Sequence, residues 1–349
     1  MDKTTENAET TTANGARSTP TSSYWRKPLV LYAATWATTT FVGLVFYGGG
    51  SWLGAAFFSV PLMIILTAHE LGHYWQTRRY NIPASPPFFI PFPLPPFGTL
   101  GALIRMNGRV PNAKALFDVG VSGPLAGFAA TLVFLAIGLA NSTLVDAETA
   151  AGEALVFGEP PLFRWVSLLF FDRSDPTRVL TMHPTAAAAW VGLFLTTLNL
   201  FPMGQLDGGH VLYALLRRRA VYFSTALFIA AAGAVFVFER WNWLVMLFLI
   251  ALFGVEHPPT ADDSTRLGPL RTAIGWSALA LVAIGFTPNP VGVESGAPES
   301  EESVFFRNEG AERAPETDFL TRGTNFRDES GERAKSWNVF NENSAKTPC

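Results

Sequence analysis

Leu62-Met63-Ile64-Ile65-Leu66-Thr67-Ala68-His69-Glu70-Leu71-Gly72-His73-Tyr74-Trp75 is an apolar run with two imidazoles and a carboxylate set inside it. It is the later part of a longer apolar stretch at about 52–75, and a bilayer core needs about 20 such residues per helix. Ionisable groups inside a span are expensive and usually functional. Two histidines satisfied within a helix core are the ordinary alternative, and three ionisable groups in five residues weigh against it.

Other runs of this kind lie on both sides. They fall at about 29–47, 115–140, 185–203, 220–238, 241–255 and 270–287, which predicts six or seven membrane-spanning helices. Composition agrees. The chain has 349 residues, 49% hydrophobic and only 15% charged, with a mean hydropathy of +0.23. Soluble domains carry about 25% charged residues. Leu29 to Gly292 holds 27 charged side chains in 264 residues, whereas the last 57 residues hold 19. The net charge of −3 gives no sign of nucleic-acid binding. Cys349 is the single cysteine, so a disulfide framework is excluded and a metal site must use His, Asp or Glu.

The expected domains are a disordered leader at 1–28, a membrane-embedded domain at 29–290 and a polar, disordered tail at 291–349. Within the middle domain, residues 81–110 break the helical pattern. Seven prolines fall between Pro83 and Phe97, and Gly98 to Met106 reads as a short apolar strand. The fold class is therefore an all-α polytopic membrane protein with a short re-entrant or β element between the second and third spans.

The positive-inside rule orients the chain. Arg26 and Lys27 place the N-terminus in the cytoplasm. Arg78, Arg79, Arg105, Arg109, Lys114 and Arg217–Arg219 then fall on that same side. The 141–184 loop, with six acids against three bases, falls outside. His69, His73 and Asp207 lie towards the cytoplasmic half, where an opening to water is expected.

On a helix, residues i and i+4 share a face, so His69 and His73 can bind one ion, with Glu70 adjacent as a general base for a water. A tetrahedral catalytic site needs a third protein ligand. The remaining histidines are His183, His210 and His257; acids in or near apolar segments are Asp118, Asp207, Glu239 and Glu256. Asp207 is singled out by Pro202, Gly204 and the Gly208-Gly209 pair, which break a span around it. A helix-capping role is the competing reading for Asp207. Asp118 reads as an interfacial cap, His210 as a helix-start residue with a supporting role as the lesser reading, and Gly123/Gly127 as a packing pair.

His69-Glu70-Leu71-Gly72-His73, followed by Asn199-x-x-Pro202-x-x-x-Leu206-Asp207-Gly208-Gly209, resembles the site-2 protease family of intramembrane zinc metalloproteases. Ser122-Gly123-Pro124-Leu125-Ala126-Gly127 resembles the small-residue motif of that family's middle core helix. The resemblance covers about Leu29 to Pro290. It implies that His69, His73 and Asp207 ligate one zinc ion per chain and that Glu70 activates water. It also implies that Asn199 lies near the substrate carbonyl or its oxyanion. Substrates would be transmembrane segments of other proteins, partly unwound in the bilayer. A polytopic metal transporter and a non-catalytic membrane binding protein are the rival readings. The transporter reading does not account for Glu70 or the broken span at Asp207, and intact motifs argue against the binding protein. Substrate identity, pathway and oligomeric state are not encoded visibly.

Overall fold

The computed structural model describes residues 23–106, 109–147, 152–175, 177–254, 257–296 and 303–306. Nine α-helices are present among them. These are α1 Ser23–Val42, α2 Trp52–Arg79, α3 Ala113–Ala140, α4 Pro161–Ser167, α5 Pro184–Asn199, α6 Asp207–Leu216, α7 Ala220–Val237, α8 Leu244–Phe253 and α9 Pro269–Gly285. Seven strands accompany them: β1 Phe88–Pro91, β2 Thr99–Leu103, β3 Thr143–Asp146, β4 Gly152–Gly158, β5 Arg178–Thr181, β6 Val291–Gly296 and β7 Ser303–Phe306.

Four helical stretches are long and apolar enough to cross a membrane. They are Tyr24–Tyr47, Trp52–Arg79, Ala113–Ala140 and Asp207–Val237, the last running from α6 through the turn at Arg217–Arg219 into α7. The expected six or seven spans are not reproduced at that length. The apolar run at 185–203 splits because Pro202 and Gly204 end helix after Asn199. What remains, α5, has 16 residues and rises about 24 Å, short of about 30 Å of hydrocarbon. The runs at 241–255 and 270–287 likewise give short helices.

The core is built by α2, α3 and α5. Phe58, Leu62, Met63 and Leu66 of α2 pack with Leu135 and Leu139 of α3 and with Trp190 and Val191 of α5. Small side chains set the spacing: Ala186 to Ala189 are fully buried, and small residues let helix backbones approach closely without needing a hydrophobic drive between helices.

The all-α expectation needs correction. The 141–184 loop is not plain connection but supplies β3, β4, α4 and β5. They join β6 and β7 in a five-stranded sheet ordered β3-β5-β7-β4-β6. β3 follows the end of α3 and β5 precedes the start of α5, and those helix ends approach at Gly138, where a Cβ would lie 2.3 Å from Ala186 N. Trp190 Nε1 donates to Gly158 O at 2.8 Å, and Phe157 enters the helical core. The tail expected to be polar and disordered from 291 thus begins with β6, paired antiparallel to β4. Residues 307–349 lie outside the described residues, as do 1–22 of the expected leader. The remainder of that leader is already helical, and Tyr24 donates to Ala84 O at 2.7 Å.

The expected strand after the proline-rich stretch is β2, antiparallel to β1. The signal missed at β1 is the prolines themselves: Pro91 ends the strand, a position that does not demand a ladder donor. The hairpin packs on α1, where Thr38 donates to Gly98 O at 2.7 Å and Tyr32 meets the Phe89 ring at 4.8 Å.

Candidate active site

His69 and His73 lie one turn apart on α2 and are 4% and 8% exposed. Asp207 comes from 134 positions beyond His73, at the first turn of α6. The turn between α5 and α6 brings it there. Gly204 takes a φ of +55°, and a Cβ at Gly208 would lie 1.8 Å from Leu200 O. No side chain fits at 208, so the pair of glycines after Asp207 is a condition for tucking α6 beneath the end of α5.

Three atoms converge. His69 Nε2 and His73 Nε2 are 3.1 Å apart, and each is 3.2 Å from Asp207 Oδ2. The edge of a tetrahedron around an ion with bonds of about 2.0–2.1 Å is about 3.3 Å, so the spacing suits one zinc-sized ion. Protonation agrees with this. His73 Nδ1 is 2.7 Å from Val119 O, which only accepts, so that nitrogen carries a proton and, in the neutral ring, Nε2 presents a lone pair. In the neutral ring that lone pair lies 3.2 Å from a carboxylate oxygen, a spacing that one cation could share with both. This is the metal-capable cluster of three His, Cys, Asp or Glu side chains among the described residues.

The other expected residues gather around it. Glu70 is 3% exposed, and its Oε2 has no hydrogen-bond partner among the described residues. An orphaned buried carboxylate oxygen is a place for a water or an ion-bound group. Asn199, the last residue of α5, brings Nδ2 to 3.4 Å from His69 Nε2. A cavity of about 180 Å³ is lined by these side chains together with Ala102, Leu103 and Ile104 of the β2 region. His210 also lines it, and its ring meets His257 edge to face at 4.7 Å.

Two readings from the sequence are revised. Gly123 and Gly127 are more than a packing pair. A Cβ at Gly123 would lie 2.1 Å from His73 Nε2, and one at Gly127 would lie 3.0 Å from His69 Nδ1. The imidazoles therefore occupy space that α3 leaves empty. Gly123→Ala is expected to displace His73 and weaken metal binding by at least about tenfold, read by chelator competition. Asp118 is not a cap; Asn112 caps α3 by accepting from Ala115 N at 3.0 Å. Asp118 instead pairs with Arg271 of α9 and accepts from Tyr80. Sequence reasoning missed both partners, because they lie 38 and 153 positions away.

Helix-borne His-Glu-x-x-His, closed by a carboxylate from a second apolar helix, defines the class of membrane-embedded HExxH metallopeptidases. The model of peptidase family M50 matches residues 57–239, which contain both motifs. The chain belongs to peptidase family M50, the site-2 protease family. It is similar to the chloroplastic probable zinc metalloprotease EGY2 of Arabidopsis thaliana, with 29% identity over 233 residues, 65% of this chain and 40% of that protein. It is also similar to the EGY1 counterpart of Oryza sativa subsp. japonica, with 32% identity over 169 residues, 46% of this chain and 28% of that protein. EGY3 of Oryza sativa subsp. indica shows 30% identity over 270 residues, 70% of this chain and 43% of that protein. The chain thus spans less than half the length of these relatives. No solved structure matches it.

Proposed function

We propose that the protein is an intramembrane zinc endopeptidase that hydrolyses peptide bonds in or near transmembrane segments of other membrane proteins. The observation that carries this reading is the convergence of His69, His73 and Asp207 within one buried cavity, with the orphaned Glu70 oxygen beside them. The donor set suits zinc, with one ion per chain held by those three side chains. When bound, zinc would polarise the scissile carbonyl and lower the pKa of its water to about 7. Glu70 takes the proton of the attacking water and passes it to the leaving amine. Asn199, whose Nδ2 lies 3.4 Å from His69 Nε2, serves the oxyanion that forms at the scissile carbonyl.

An extended substrate has a place to lie. Strand β2 pairs with β1 on one edge, and the residues of its region line the cavity, so a substrate strand can add to the sheet and present one carbonyl to the site. A transmembrane helix ties up its own carbonyls, so the segment must unwind first. The basic residues at 26–27, 78–79, 105–114 and 217–219 support a cytoplasmic N-terminus and a cavity opening to the cytoplasm. The domain reading keeps 29–290 as the catalytic part.

The test uses purified full-length protein with a reporter transmembrane segment in detergent. Chelation is expected to abolish cleavage, and zinc to restore it. Introducing a Gly-Pro pair into the reporter should raise its cleavage rate. Cleavage that survives complete zinc removal, or zinc flux across liposomes without any proteolysis, would sink this reading.

A further inference from the structure

We propose that Asp118, braced by Arg271 and Tyr80, is a positioning residue that sets the metal affinity of the centre through the Val119 carbonyl. The inference rests on the metal-site reading above.

Asp118 lies in the second turn of α3 and is 8% exposed. Its carboxylate accepts from Arg271 Nε at 2.8 Å, from the second arm of the same guanidinium at 3.0 Å, and from Tyr80 Oη at 2.5 Å. These donors come from separate elements. Tyr80 directly follows α2, two turns beyond His73. Arg271 is in the first turn of α9. One buried carboxylate therefore fixes α3 to the end of the histidine helix and to α9.

The next residue along makes the connection to the ion. Val119 O lies 2.7 Å from His73 Nδ1 and 3.0 Å from Ser122 Oγ, which also reaches Gly72 O at 2.9 Å. On the other side of Asp118, the Phe117 ring lies against Gly275 of α9, where a Cβ would sit 2.8 Å from Cε2. Phe117 and Asp118 hold this turn of α3 on α9 and α2, while Val119 presents its carbonyl to the imidazole. A rotation of α3 would carry Val119 O away from Nδ1 and release the tautomer that directs Nε2 to the ion.

Stability alone does not account for such a cluster. Well-packed apolar residues hold helices together as well as a buried ion pair does. What the bidentate fork adds is geometry: two parallel bonds fix both the position and the direction of a carboxylate. Loss of the hydrogen-bond partner behind a metal-binding histidine, here the Val119 carbonyl that Asp118 holds in place, typically changes affinity by about 10–100-fold.

The experiment measures Zn²⁺ and Co²⁺ affinity of the full chain in detergent by chelator competition, with the Co²⁺ absorption spectrum as a readout of ligand geometry. Asp118→Asn and Arg271→Gln are expected to weaken binding by at least about tenfold and to alter the Co²⁺ bands. Arg271→Lys keeps the charge but loses the fork, so it should weaken binding less than Arg271→Gln. Tyr80→Phe removes one donor and should have the smallest effect. Glu159→Gln breaks the ion pair with Arg173 next to the sheet, and should lower Tm without moving metal affinity. Folded Asp118 and Arg271 variants with wild-type affinity and spectrum would overturn the proposal. So would an equal loss of affinity in Glu159→Gln, which would mark general loosening. If Asp118→Asn fails to fold, Arg271→Lys and Tyr80→Phe decide the matter, because unchanged affinity in both overturns it. A wild type that binds neither ion overturns the metal-site reading and this inference with it. Normal binding in the wild type with insensitive variants overturns this inference alone.

Discussion

Glu70→Gln protein is expected to keep one zinc per chain and to lose cleavage by about 10²–10⁴-fold, the range a positioned general base contributes. The reason lies in how the two carboxylates of the site are placed. Asp207 points Oδ2 at both imidazoles, at 3.2 Å from each. Glu70 is buried in the same cavity, yet its Oε2 meets no partner among the described residues. A glutamine amide has nearly the shape of the carboxylate it replaces but cannot take a proton from water, so binding survives and turnover does not. Metal analysis and a cleavage assay on the same preparation check this. Turnover close to that of the wild type would remove Glu70 from the role of base, whatever the metal content.

The second large effect falls on binding. Asp207→Ala should weaken zinc affinity by more than about 100-fold, the upper end of what outer partners of a ligand cost. It removes one of three side-chain donors and the one negative charge among them. Thermal denaturation offers an independent readout. A ligand at 100 times its Kd adds about 2.7 kcal/mol to folding stability. Zinc should therefore raise the Tm of the wild type and of Glu70→Gln, and leave that of Asp207→Ala unmoved. A zinc-dependent Tm rise in Asp207→Ala equal to the wild type's would exclude Asp207 as a ligand. His69→Ala should behave like Asp207→Ala.

The two effects separate chemistry from assembly, and they fall on residues of different legibility. His69, Glu70 and His73 form a pattern within five positions on one helix. Helical periodicity alone places both imidazoles on one face. Asp207 is 138 positions from His69, and its candidacy rests on the helix breakers around it and on the resemblance of the motif pair. The closing geometry is not legible in sequence, because the position of α6 depends on contacts such as Gly208 against Leu200 O.

The same distinction explains where the expectations fall short. Long apolar runs name helices wherever a run is unbroken, and α1, α2 and α3 follow them closely. At 185–203 the run gives no warning that helix ends at Asn199; Pro202 and Gly204 do, and they cut the span. The strand at 152–158 pairs with those at 291–296 and 303–306, and 178–181 meets 303–306 at Thr181 and Phe305, each across more than a hundred residues, whereas 143–146 pairs with 178–181. Their pairing partners are set by tertiary packing rather than by any local period. Asp118 reads as a cap because its nearest sequence neighbours offer nothing else.

By itself, then, the sequence determined that the chain is apolar and largely helical, that two imidazoles share one helix face with a carboxylate beside them, and that helix breakers surround a second carboxylate at Asp207. These are consequences of composition and of the 3.6-residue period, both of which are local. Only the tertiary structure decided that Asp207 meets the histidines at about 3 Å, that α3 leaves glycine-sized space for their rings, and that Asp118 is bound to Arg271 and Tyr80. Each of these depends on where separate helices cross. Crossing positions follow from the packing of side chains distant in sequence, which no local pattern specifies.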